Sequence, residues 1–153
     1  MSLVGKPAPT FTLTDNARQK VSLDSFRGKK VVLVFYPAAF TGVCEKEVCN
    51  FRDSLSDLNG LNAVVLGISV DAPFSNNAFA AKNNLNFPLL SDPARETITA
   101  YDIVIHDFAG ITGLTVAKRA VFVVNEEGIV TWEWVGPNPG VEPDYAAVKA
   151  ALG

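Results

Sequence analysis

Apolar residues gather in two long runs with a helical pattern between them, and this arrangement predicts the centre of the fold. Val31–Tyr36 is rich in β-branched and aromatic residues and is followed by Pro37, so we expect a strand that is buried on both faces. A second run, Ala63–Val70, has the same character. Between them, residues 43–58 carry apolar side chains at helical spacing, namely Val48, Phe51, Leu55 and Leu58. The pattern indicates a βαβ unit with parallel strands.

Shorter patterns precede this unit. Two alternating segments, Phe11–Thr14 and Lys20–Leu23, flank a polar turn and predict a β-hairpin. Asp24 or Ser25 is placed to cap a single helical turn before the central strand. The chain should therefore begin with a hairpin that leads directly into the βαβ unit.

After the βαβ unit the predicted elements become shorter. We expect a helix over 73–83 and then a strand at Phe87–Leu90, for which Pro88 favours the edge of the sheet or the end of the strand. Asp92 ahead of a proline is typical of a helix N-terminus and predicts a helix over 93–101.

The last third of the chain predicts an antiparallel hairpin, formed by Arg119–Val124 and Gly128–Val135, and a closing helix over 143–152. Residues 103–116 give no clear pattern. The order of elements indicates an α/β protein with a thioredoxin-like fold, in which helices flank a mixed β-sheet that carries an N-terminal β-hairpin. The length favours a single domain over residues 1–153.

Composition excludes several classes of function. A hydrophobic content of 48% suffices for one core, and a net charge of −3 with scattered basic residues offers no surface for nucleic acid or anionic lipid. The longest apolar run, Val31–Phe40, is too short to span a bilayer, and no secretory signal precedes it. We therefore expect a cytoplasmic protein whose two cysteines are reactive or inert thiols rather than a permanent disulfide.

Cys44 is the first candidate for chemistry because it falls in the first turn of the predicted long helix. Free N–H groups and the positive end of the helix dipole favour a thiolate there, which makes Cys44 a candidate nucleophile. His106, the only histidine, lies in the segment without a pattern, and nothing in the spacing brings it to Cys44. Two cysteines and one histidine make a poor zinc site and no phosphate-binding fingerprint is present, so we expect neither a metal nor a cofactor.

The segment from Pro37 through Thr41 to Cys44 matches the Pro-x-x-x-Thr-x-x-Cys signature of peroxiredoxins. The resemblance extends along the chain, since residues 4–13, 87–92 and 119–124 also resemble peroxiredoxin segments. The spacing Cys44-x-x-x-x-Cys49 is similar to that of the bacterioferritin-comigratory, or Q-type, subfamily. The resemblance implies a thiol peroxidase that reduces hydrogen peroxide and organic hydroperoxides.

The resemblance also implies a role for each residue of the signature. Cys44 would be the peroxidatic cysteine, and Cys49 would resolve its sulfenic acid. The hydroxyl of Thr41 would point into the same pocket, although this residue could equally be a helix N-cap. Pro37 would shield the sulfur from bulk water, although a proline at this place often does no more than end a strand.

Two further residues are carried over from the family. Arg119 would stabilise the thiolate and bind the peroxide, and strand alternation places it on one face with Val121 and Val123. Glu47, three residues after Cys44 and near the same helical face, would orient Arg119. Outside the resemblance, Arg119 would be assigned to the surface and Glu47 to a solvated helix position.

The family also suggests the partners and leaves two other functions open. The expected reductant is thioredoxin or a similar dithiol protein, and the expected state is a monomer or homodimer. A general thiol–disulfide oxidoreductase is a second class, although such enzymes normally use Cys-x-x-Cys. A non-enzymatic redox sensor with the same fold is a third.

Overall fold

A mixed sheet with helices on both faces forms the protein. The computed structural model describes residues 2–153, apart from the side chain of Ser56; Met1, the first residue of the predicted domain, lies outside the described residues. In chain order the elements are β1 (Thr12–Asp15), β2 (Lys20–Ser22), β3 (Lys30–Phe35), α1 (Gly42–Gly60), β4 (Ala63–Ser69), α2 (Pro73–Lys82), β5 (Leu89–Ser91), α3 (Glu96–Ala100), β6 (Val104–Ile105), β7 (Val116–Ala117), β8 (Ala120–Val124), β9 (Val130–Val135) and α4 (Tyr145–Ala151).

Seven of these strands pair in the order β2-β1-β5-β4-β3-β8-β9. Strand β4 is parallel to β3 and to β5, whereas β1 and β8 pair antiparallel with their neighbours. This arrangement confirms the predicted α/β class, the parallel βαβ unit and both hairpins. None of the helices formed by residues 2–153 combines the length and the hydropathy that crossing a bilayer requires.

The central strand β3 separates two hydrophobic layers, as its continuous apolar run predicts. Val32 and Val34 face one layer, into which α1, α2 and α4 pack. Val31 and Leu33 face the other layer, which contains the buried face of α3. Because side chains alternate along a strand, a run without polar residues is what a strand covered on both sides requires.

The predicted edge position of the fifth strand is wrong. β5 lies inside the sheet, between β1 and β4. Pro88 stands just before this strand, where its carbonyl accepts a bond of 3.0 Å from the N–H of Gly67. Its missing N–H therefore costs no ladder bond, and the strand-end alternative holds.

The predicted start of the third helix is also wrong. α3 begins at Glu96, after Arg95 in a left-handed conformation with φ of 61°. The carboxylate of Asp92 still satisfies the first turn, because it accepts bonds of 3.3 and 2.9 Å from the N–H groups of Thr97 and Ile98. Asp92 thus acts as a cap from outside the helix.

One smaller expectation is corrected at a helix end, and one segment without a prediction takes shape. A 3-10 turn forms at Leu23–Phe26, but neither Asp24 nor Ser25 caps it, because Ser22 occupies the N-cap position. The hydroxyl of Ser25 instead donates to the carbonyl of Ser22 at 2.6 Å. The segment 103–116, which has no sequence pattern, forms a two-stranded sheet of β6 and β7 around a second 3-10 turn.

Candidate active site

Cys44 lies in the first turn of α1 and is fully buried. The chain reaches it from the end of β3 through the buried Pro37 and a short loop, and Thr41 occupies the N-cap position of the helix. Cys44 is a free thiol. Its place at the positive end of a 19-residue helix is the one predicted, and this position stabilises a negative charge on the sulfur.

Hydrogen bonds fix the loop that carries the signature. The N–H of Ala39 donates to Asp71 at 2.8 Å, and the hydroxyl of Thr41 donates to the carbonyl of Ala38 at 2.9 Å. The side chain of Thr41 makes no capping bond to the helix, so it is an N-cap in backbone position alone. Its oxygen keeps lone pairs that can accept a further bond.

One guanidinium connects the thiol to a buried carboxyl group. Arg119 Nη2 lies 3.1 Å from the sulfur of Cys44, and Nη1 lies 2.9 Å from Oε1 of Glu47. Nε donates to the carbonyl of Pro139 at 3.0 Å, and the residue is 2% exposed. The alternative that Arg119 lies at the surface and Glu47 in solvent is therefore wrong, because both residues are buried.

The electrostatics of this group leave positive charge beside the sulfur. Burial raises the pKa of Glu47 to about 8, against the attraction of Arg119, and no hydrogen-bond partner reaches Oε2 among the described residues. Burial opposes the charge on Arg119, yet Glu47 and Cys44 outweigh it and raise its pKa. Burial thus opposes the negative charge on Glu47, so this carboxyl group neutralises the guanidinium less readily than an exposed carboxylate would.

Strand pairing explains why Arg119 reaches Cys44 across 75 positions of sequence. Ala120, the first residue of β8, pairs with Phe35, the last residue of β3. Arg119 therefore stands beside the point where the chain leaves the sheet for α1. The face predicted by alternation is confirmed, because Val121 and Val123 lie in the same hydrophobic layer as Cys44.

Cys49 is not brought to Cys44. Both residues lie in one continuous helix, and Cys49 is partly exposed and free. Its sulfur lies 3.4 Å from Oδ1 of Asn83, at the end of α2. His106 is exposed in the segment 103–116 and contacts Thr115 rather than a cysteine.

A polar network packs behind the site, and the sequence patterns did not predict it. The hydroxyl of Tyr36 donates to Asn76 at 2.7 Å, and Ser69 joins Asn76 to Asp71, the residue that holds the loop. Burial is the main cause of the raised pKa of Tyr36. The sequence does contain a sign of this network. Ser69 and Asp71 are polar and stand at the end of β4, beside the end of β3, where functional side chains gather in such sheets.

A cleft of about 590 Å³ opens beside Arg119. Ile105, Lys118 and the segments 107–109 and 136–139 line it together with Arg119. It thus provides space next to the guanidinium. Among residues 2–153, no three His, Cys, Asp or Glu side chains are grouped to hold a metal ion.

Comparison with known proteins identifies a family. Residues 4–133 match the model of the AhpC/TSA family. The chain is 39% identical over 149 residues to the putative peroxiredoxin bcp of Coxiella burnetii, covering 97% of each chain. It is 42% identical over 130 residues to alkyl hydroperoxide reductase E of Mycobacterium bovis, covering 83% and 81% of the two chains. The structure of Xanthomonas campestris peroxiredoxin Q superposes with a TM-score of 0.80 at 28% identity, over 93% of this chain and 89% of that one.

Proposed function

The chain belongs to the AhpC/TSA family and is a thiol-dependent peroxidase, and we propose that Cys44 is the sulfur that the peroxide oxidises. The observation that carries this proposal is the 3.1 Å contact between Arg119 Nη2 and the Cys44 sulfur at a buried helix N-terminus. A helix dipole and a guanidinium both favour a thiolate, which is the reactive form of a cysteine.

The first step consumes the peroxide. The thiolate of Cys44 attacks one peroxide oxygen, so that an S–O bond forms and the O–O bond breaks. Cysteine becomes a sulfenic acid, and the departing hydroxide or alkoxide takes a proton to leave as water or alcohol. Arg119 supplies positive charge to the departing oxygen. Thr41 supplies a hydroxyl donor to the same oxygen after its hydroxyl has turned away from the carbonyl of Ala38. Glu47 fixes the guanidinium in place, and Pro37 limits access of water.

The second step returns the sulfur to the thiol. Cys49 attacks the sulfenic sulfur and forms a disulfide with Cys44, releasing water. A dithiol protein, for which we propose thioredoxin, then reduces this disulfide by exchange. We propose a monomer or homodimer from the resemblance to the family. Dependence on free thiols supports a cytoplasmic location.

Stopped-flow oxidation tests the proposal. We expect hydrogen peroxide and an alkyl hydroperoxide to oxidise the protein rapidly, Cys44→Ser to abolish turnover, and Cys49→Ser to leave the first oxidation intact. Peptide mapping identifies the oxidised residue. Peroxide consumption by Cys44→Ser at the parent rate would remove Cys44 from the mechanism. Insulin reduction without peroxidase activity would instead indicate a general thiol–disulfide oxidoreductase, and slow oxidation with tight binding of a partner would indicate a sensor.

A further inference from the structure

One face of α1 contacts Lys82, the last residue of α2, and Asn83, the residue that follows it. Glu45, Cys49 and Arg52 are four and three residues apart, which places them on the same side of the helix. Glu45 Oε1 lies 2.7 Å from Lys82 Nζ, the Cys49 sulfur lies 3.4 Å from Asn83 Oδ1, and Arg52 Nη1 lies 2.6 Å from the Asn83 carbonyl. Three positions along α1 thus converge on two consecutive residues.

The amide of Asn83 is oriented by its other contacts. Its nitrogen donates to the carbonyl of Phe79 at 3.0 Å and to Glu45 Oε1 at 3.5 Å, and both of these groups are acceptors. The amide oxygen must therefore face Cys49. Since an amide oxygen can only accept, Cys49 is the donor in this contact.

We propose that Asn83 is a positioning residue that retains Cys49 in α1 and thereby limits the rate at which the disulfide forms. The proposal rests on the function assigned to Cys44 and Cys49. In that step the Cys49 sulfur loses its proton and attacks the sulfenic sulfur of Cys44. The S–S bond forms, the S–O bond breaks, and the released hydroxide and the proton of Cys49 make water.

Asn83 acts on the step that precedes this attack. Cys49 can approach Cys44 only after its bond to the Asn83 amide has broken and the Glu45 contact has opened. The contact of Arg52 lies on the far side of Cys49 and uses the backbone carbonyl of Asn83, so it can persist while the first turns unwind. Arg52 therefore marks the point at which unwinding can stop.

The retention has a consequence for oxidative damage. While Cys49 is held, the sulfenic acid of Cys44 persists and a second peroxide can oxidise it to the sulfinic acid. Removing the amide of Asn83 should speed disulfide formation and protect against this second oxidation. One hydrogen bond typically changes an equilibrium by about two- to tenfold, which sets the expected size of both effects.

The test compares two kinetic steps in the full-length protein. Asn83→Ala leaves the backbone carbonyl that binds Arg52, and we expect Cys44 to be oxidised at the parent rate while disulfide formation accelerates by about two- to tenfold. A rapid-quench sulfenic acid trap with mass spectrometry follows the second step. The peroxide concentration that gives half-maximal sulfinic acid should rise by a similar factor.

Two variants control for a structural effect. Asn86→Ala removes a comparable amide that bonds to the carbonyl of Arg52 at 3.4 Å without touching Cys49, and it should leave both steps unchanged. Asn83→Gln keeps an amide with both its acceptor and its donors and should accelerate disulfide formation less than Asn83→Ala. Disulfide formation at the parent rate in Asn83→Ala, or equal acceleration in Asn83→Gln, would overturn the role of Asn83. Failure of Cys44 to be oxidised in the parent protein would instead contradict the proposed function.

Discussion

Forming a bond between Cys44 and Cys49 requires α1 to unwind, and helix geometry shows by how much. Both cysteines lie in the continuous helix Gly42–Gly60. Five residues of α-helix give a rise of about 7.5 Å and a rotation of about 140°, so the two Cα atoms are roughly 8–9 Å apart on diverging faces. A disulfide rarely spans more than about 7 Å between Cα atoms. The bond therefore excludes the helical conformation of this segment.

The cost of unwinding follows from what the segment buries. Val48 and Phe51 are 0% and 2% exposed, and removing one such side chain from the core costs about 1.5–3 kcal/mol. Both together give about 3–6 kcal/mol, which corresponds to a protection of the reduced helix against opening of about 10²- to 10⁴-fold. Unwinding also breaks the helical bonds of the first turns, beginning with Glu45 N–H to the Thr41 carbonyl at 3.0 Å.

Hydrogen exchange measured by mass spectrometry tests this reasoning. Amides from 45 to about 52 should exchange slowly in the reduced protein and about a hundredfold faster or more in the disulfide form, whereas amides of β8 should exchange alike in both. Equal protection of the α1 segment in the presence of a mapped Cys44–Cys49 bond would refute the helical placement of one cysteine. A disulfide between two chains would move the resolving step to an interface.

The remaining predictions concern single side chains. Arg119→Ala and Thr41→Val should each slow Cys44 oxidation in stopped flow by about ten- to a thousandfold, since each removes a donor to the departing oxygen; normal rates with normal melting would contradict this role. Because burial raises the pKa of Glu47 from 4.5 to about 8, the folded state binds the extra proton between these values. Stability should therefore fall as pH rises through this window, by about 1.4 kcal/mol per unit relative to Glu47→Gln. Parallel urea-stability curves would contradict that assignment.

The elements around Cys44 could be predicted because their signals are local. The apolar run of β3 and the helical spacing of α1 differ in period, and Pro37 separates them. These features alone place Cys44 at a helix N-terminus. The structure extends the helix to Gly60, and a left-handed residue, Asn62, follows it.

Other elements depend on contacts that no local pattern contains. Arg95 adopts its left-handed conformation while its side chain binds the carbonyls of Thr115 and Pro93 at 2.9 and 2.7 Å. The place of β5 depends on β1, a strand more than 70 residues earlier, and on Asn16, whose side chain accepts from the N–H of Leu89 at 3.1 Å. Such long-range interactions override the preferences from which the helix start and the edge position were predicted.

The partner of Cys44 could be named through resemblance but not through spacing, since nothing local relates Arg119 to it. The physical link is the antiparallel pairing of β3 with β8, which makes the end of one strand coincide with the start of the other. The sequence likewise could not decide the role of Thr41. Its hydroxyl donates to the carbonyl of Ala38 in the structure, so donation to the departing oxygen requires the hydroxyl to turn away from that carbonyl.

The pairing of β3 with β8 also brings together the features that act on Cys44. A helix N-terminus and a guanidinium each attract a negatively charged sulfur, and burial strengthens both attractions. A fully ionised carboxylate paired with Arg119 at the same depth would weaken this attraction. Burial raises the pKa of Glu47 and so opposes its negative charge, while its hydrogen bond of 2.9 Å still orients Arg119 toward Cys44.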